Sequence, residues 1–159
     1  MQSFILKSTQ WFVSLLVVIL LSASATVNAD SSNGKATFEW MGHSSFKLTT
    51  PEGKVILIDP WISTNPSRPD KYRDFKGLDR VDLILITHGH VDHFMTPDLK
   101  VLIEKFNPDF IGAWEMQFLM KSLFPGSKQL TFQLANIGGV FDYHGTRITM
   151  TAASHSGGV

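Results

Sequence analysis

The 159-residue chain carries 14 basic and 14 acidic side chains, and a formal charge of zero gives no reason to expect nucleic acid or an anionic membrane as partner. It has no cysteine, which excludes disulfides and thiolate metal sites and leaves the core alone to hold the fold. The length predicts one domain.

Residues 1–29 read as a secretory signal peptide. Lys7 is the only charge, residues 11–21 form an apolar run, and Val27 and Ala29 fit the small-residue positions before a cut. The run is short for a bilayer span, so export to the periplasm or beyond is expected rather than a stable membrane anchor. Cleavage removes Lys7 and no acidic residue, giving a formal charge of −1. Residues 30–35 read as a leader, and residues 36–159 as the domain.

Residues 36–41 alternate around Phe38 and Trp40 as a strand, Gly42 and His43 interrupt it, and residues 45–50 resume. Pro51, Glu52 and Gly53 predict a turn into a strand at 54–59, so residues 36–59 form a β-meander ended by Asp59 and Pro60. Residues 61–80, with charges of both signs, read as a solvated connection flanking the pocket, in which Trp61 or Arg68 can contact substrate.

Residues 81–86 are an apolar run with a single charge, Asp82, as in a strand buried on both faces in a parallel sheet. That strand runs into His88, His90, Asp92 and His93, four candidate metal ligands within six residues, with Gly89 loosening the backbone. Residues two apart on an extended segment point the same way, so His88 and His90 can share one ion. Asp92 and His93 are adjacent and require a turn, which lets them face a second ion. Imidazole and carboxylate suit zinc, and also manganese or iron.

Beyond this loop, Thr96 is the expected cap of a helix, with Pro97 in its first turn and Asp98 at its positive end. Leu99, Leu102, Ile103 and Phe106 make its buried face, and it ends by Asn107. A short strand at 110–113 precedes a helix at 115–124 with Leu119, Met120 and Leu123 inward, ended by Pro125 and Gly126. Residues 130–134 read as a strand, 136–139 as a glycine turn, and 140–143 with 146–153 as a hairpin about an exposed, inert His144. His155 follows in ASHSGG, where small residues let backbone approach an ion.

HGHVDH at 88–93 resembles the HxHxDH signature of the metallo-β-lactamase superfamily. MGHSSFKL at 41–48, ILIDPW at 56–61 and NIGGVFDYHGTRITMTAASHS at 136–156 are similar to its UPF0173 and L-ascorbate-6-phosphate lactonase-like branch. The resemblance implies an α+β, αββα sandwich of which this chain holds the first part, a mixed β-sheet with helices outside. It implies that His155 joins His88 and His90 on one of two divalent ions, that Asp92 and His93 serve the other, that Asp59 braces the loop, and that His43 lies near the pocket. It also implies a bridging aspartate and a last histidine beyond residue 159, so a truncated form is expected.

The expected function is a metal-dependent hydrolase that turns activated water on an ester, lactone or phosphodiester bond of a small molecule, with Asp92 orienting the nucleophile and carrying its proton. The alternatives are a metal-binding remnant without catalysis and a site completed by association with a second chain.

Overall fold

Alternation in residues 36–59 becomes three antiparallel strands, β1 (Thr37–Gly42), β2 (Ser45–Thr49) and β3 (Val55–Ile58), with Phe38 opposite Leu48, Trp40 opposite Phe46 and Lys47 opposite Leu57. The computed structural model describes residues 34–125 and 132–155, residues 132–135 as backbone. The expected signal peptide, most of the leader and the start of the strand predicted at 130–134 therefore lie outside the described residues.

After β3 the connection crosses over, and β4 (Leu83–Leu85), β5 (Asp109–Ala113) and β6 (Phe132–Ala135) add in parallel. Strand order in this six-stranded sheet follows the chain, and β7 (Val140–Tyr143) pairs with β8 (Thr146–Thr149) as a separate two-stranded sheet. Helices α1 (Thr96–Phe106) and α2 (Met116–Leu123) flank β5 in the chain. This is the mixed sheet with helices expected of the α+β fold. Among the described residues no helix is long and apolar enough to cross a membrane.

Alternate residues of the parallel strands face opposite ways. Leu57, Ile84 and Phe110 join Leu99 and Leu102 of α1 and Met116 and Met120 of α2 in one core. Ile56, Leu83 and Ile111 join Tyr143 in a second, against which Phe141 and Ile148 of the hairpin pack. Strand β4 is thus covered on both sides, as its unbroken apolar run predicts, and each such side chain contributes about 1.5–3 kcal/mol by burial.

Several expectations need correction. The stretch 61–80 is not merely solvated: Ile62, Tyr72 and Leu78 enter the core, Asn65 is buried, and a short 3-10 stretch, Asp70–Phe75, is kinked at Arg73 and Asp74. Met95, not Thr96, stands at the α1 cap position, and no side chain caps that end. Asp98 is buried, and its Oδ2 accepts from the Ile62 and Ser63 amides at 2.5 and 2.9 Å, so its carboxylate serves a neighbouring loop. Leu123 is 38% exposed rather than inward. Strand β8 stops at Thr149; Met150 closes on Gly138 and Gly139 by backbone hydrogen bonds, and residues 151–153 are irregular.

Candidate metal centre

The C-terminal ends of β3, β4 and β5 lie along one edge of the sheet, the position where parallel sheets present their sites. Asp59 leaves β3 there and His88 leaves β4, the two strands being fastened by the Asp59 amide donating to the Leu85 carbonyl at 2.9 Å. Beyond His88 the chain turns tightly: the amides of His93 and Phe94 both donate to the His90 carbonyl, at 2.9 and 2.7 Å. Phe94, buried in the core, fixes that turn and directs His93 back under the loop.

Asp59 organises this edge. It is 2% exposed and has a left-handed backbone, φ 45°. Its Oδ1 accepts from the Thr87 amide at 2.7 Å, and its Oδ2 accepts from the Thr87 hydroxyl at 2.6 Å and from His93 Nδ1 at 2.8 Å. The Ser45 hydroxyl donates to the Asp59 carbonyl at 2.6 Å. Asp59 thus ties Thr87 and His93, on either side of His88 and His90, to the end of β3.

The same network sets two tautomers. A carboxylate only accepts, so His93 donates from Nδ1, and in the neutral imidazole this leaves Nε2 with a bare lone pair. Thr87 spends its hydroxyl proton on Asp59, so at 2.9 Å its oxygen accepts from His88 Nδ1, and His88 Nε2 is bare as well. Histidines that donate one ring nitrogen to a fixed acceptor and present the other bare have the disposition of metal ligands.

Around those lone pairs the other candidates gather. His88 Nε2 lies 2.9 Å from His90 Nδ1 and 3.2 Å from His155 Nε2. His43 Nε2 lies 2.9 Å from Asp92 Oδ2, and His93 Nε2 lies 3.8 Å from the same oxygen. Three overlapping groups of side chains have ligand atoms all within 4.8 Å of one another: His88, His90 and His155; His43, Asp92 and His93; and Asp59, His88 and His93. Every site residue expected from the sequence is thus at this edge, whereas His144 is exposed in the hairpin turn, its ring against Tyr143.

Electrostatics favour the metal-ready forms. Burial first, then the neighbouring His93, His90 and His155, lower the pKa of His88, keeping it neutral. For Asp92, burial opposes ionisation, but its own backbone amide and His43 outweigh it, and the carboxyl stays below its usual range. Arg68 does not face the site: its Nη1 donates to the Ile62 and Ser63 carbonyls at 2.6 and 2.8 Å, which corrects the expectation of a substrate contact. Trp61 does approach, with its ring edge-on to His43 at 5.4 Å. Thr87 and Ser45 are the functional residues that sequence reasoning passed over. Their only signal is a hydroxyl at the margin of a strand that abuts a ligand loop.

A cavity of about 900 Å³ opens beside the histidines, between the six-stranded sheet and the hairpin. His88, His93 and His155 stand at it with Asp59, and its walls are apolar, among them Ile58, Leu85, Ile111, Phe141 and Ile148. Among the described residues no lysine or arginine lines it.

Residues 37–158 match the family described as the beta-lactamase superfamily domain. The chain is 34% identical over 158 residues to a UPF0173 metal-dependent hydrolase of Polynucleobacter asymbioticus, covering 96% of this chain and 55% of that protein. It is 38% identical over 125 residues to one of Cupriavidus necator, covering 77% of this chain and 43% of that protein. Among solved structures it is similar to Igni18, a metallo hydrolase from Ignicoccus hospitalis, with a TM-score of 0.61 and 30% identity over 76% of this chain and 50% of that one. The chain spans about half the length of the curated relatives it matches.

Proposed function

Because the chain belongs to the beta-lactamase superfamily, we propose that it serves a metal-dependent hydrolase acting on an ester, lactone or phosphodiester bond of a small molecule, with two divalent ions, zinc before manganese or iron. The observation that carries this reading is the pair of bare Nε2 atoms on His88 and His93, each fixed through its Nδ1 and each facing further nitrogen or carboxylate donors. Without an ion these nitrogens hydrogen-bond among themselves, as His88 does with His90 and His155; a bound cation would draw the same lone pairs into coordination.

In this reading His88, His90 and His155 hold one ion, and Asp92 and His93 hold the other. When bound, such ions supply the Lewis acidity that makes water a nucleophile near neutral pH and polarises the bond under attack. The protein's part is to orient and to move a proton. Asp92, ionised and on the exposed side of the loop, accepts the proton that the nucleophile sheds and passes it to the leaving group. Asp59 keeps the His93 ring from rotating, and Thr87 does the same for His88. The largely apolar cavity receives the non-reacting part of the substrate. Export belongs to the same proposal and rests on the charge and hydropathy pattern of residues 1–29.

The test is metal content by elemental analysis beside turnover of an ester, a lactone and a phosphodiester, with and without chelator. Bound metal with turnover that the chelator abolishes supports the hydrolase. Metal without turnover on any substrate leaves a metal-binding protein without catalysis. A protein that binds no metal, or whose His88→Ala variant keeps its full metal content, overturns the reading.

A further inference from the structure

We propose that His43 is a protein ligand of the second ion, completing with Asp92 and His93 a three-residue set drawn from two turns of the chain; this rests on the metal-binding reading above. His43 comes from the β1–β2 turn, 49 positions before Asp92. Its Nε2 lies 2.9 Å from Asp92 Oδ2, and His93 Nε2 lies 3.8 Å from that oxygen. A tetrahedral ion with bonds of about 2.0–2.1 Å keeps its ligand atoms roughly 3.3 Å apart. The two separations bracket that value, so small shifts of the more exposed His43 and Asp92 side chains, with His93 held by Asp59, seat one cation among the three atoms. With Nδ1 donating to Asp59, the neutral His93 ring turns its Nε2 lone pair towards Asp92 Oδ2 across 3.8 Å, a gap that a cation bound to both would close.

The backbone around His43 is held for this placement. His43 has φ 51°, uncommon for a residue with a side chain, and its carbonyl accepts from the Trp40 indole at 2.8 Å. Trp61 stands edge-on to the ring. Its Nδ1 has no protein partner among the described residues and the side chain is 43% exposed, so water can take the Nδ1 proton and leave Nε2 to coordinate. A residue that only oriented Asp92 would use the same 2.9 Å contact as a plain hydrogen bond, and glutamine could supply that donor.

The His43→Gln and His43→Ala variants of the full chain separate the two roles, with folding checked by circular dichroism. Zinc is titrated against a chromophoric chelator, and the cobalt(II)-loaded proteins are read by the hyperfine-shifted imidazole N–H resonances that ligating histidines give. Both variants are expected to bind the second equivalent at least 10-fold more weakly than the parent, to keep the first unchanged, and to lack one shifted histidine resonance at saturating cobalt. A His43→Gln variant with parental affinity for the second equivalent, or either variant with every shifted resonance retained, makes His43 a positioning residue and overturns the proposal. His93→Ala reports on the underlying reading: if it too leaves both equivalents intact, or the parent binds no ion, the metal assignment itself has failed.

Discussion

The Asp59 carboxylate accepts three hydrogen bonds from two residues, Thr87 and His93, so a change of one oxygen should be felt at the candidate ligands. Asparagine tolerates the left-handed backbone but offers an amide where His93 or Thr87 needs an acceptor. Asp59→Asn should therefore fold and bind zinc about 10–100-fold more weakly, read by competition with a chelator. Glu39 makes a different prediction, away from the site. Its carboxyl is held at about 2, below the ordinary 4.5, first by Lys47 and then by Lys71, with Tyr72 donating as well. A depressed carboxyl pKa adds stability that is complete above the unfolded value and lost as pH falls from 4.5 towards 2. The side chain is 31% exposed and its lysine partners reach solvent, so screening holds the amount to about 1 kcal/mol or less. Urea denaturation at a series of pH values should show this loss in the parent and not in Glu39→Gln. At this scale the ligands were legible, because four of them crowd into six residues, and His155 by its small-residue setting. Thr87 was not: a β-branched residue ending an apolar run reads as more strand, and its hydroxyl matters only through a partner 28 positions away.

The elements that carry the site show why propensity found them and missed their use. Asp98 has the right charge for the start of α1, yet its carboxylate is buried against the amides of Ile62 and Ser63. A helix-end rule sees its own helix, not the loop that packs on it. The β1–β2 turn is similar. Gly42 was legible as an interruption, but its need for glycine is tertiary: with φ 102°, an added Cβ would stand 2.8 Å from the Arg68 amide nitrogen and from Asn65 Nδ2. The Arg68 backbone cannot move aside as a flexible side chain would. Gly42→Ala should cost about 2 kcal/mol or more in chemical denaturation, through strained φ and this collision, and should loosen the second zinc because His43 is next in the chain. The connection 61–80 was read as solvated because its charges mask Ile62, Tyr72 and Leu78, which are too widely spaced for any helical or strand period to reveal.

For the whole molecule, the fold class was legible through the resemblance carried by HGHVDH and its flanking segments, while two clean periodicities placed the strands: alternation over the first three, and a two-sided apolar run at β4 that calls for cover on both faces. What spacing could not reveal is that the hairpin lies across the second face. That depends on Tyr143, whose hydroxyl donates to the Asp82 carbonyl at 2.9 Å and to Asp109 Oδ2 at 3.2 Å. The candidate ion sites draw on segments from the end of β1 to beyond β8, so a bound metal should act on global stability. At a free zinc concentration 100-fold above Kd the gain is about 2.7 kcal/mol, a rise in Tm on the order of 10 °C by differential scanning calorimetry. Protons compete for the same imidazoles, so this gain should shrink as pH falls.

Tyr143 moors the hairpin beside its tight turn, near the starts of β4 and β5, while His155 hangs from the opposite extremity, past the exit of β8. The two strands thus behave as a lever pinned by a phenol at one end and latched by a cation at the other. Withdrawing zinc should release the latch only: amide exchange at Gly138 and Met150 should quicken severalfold while the amides of β4 keep their pace.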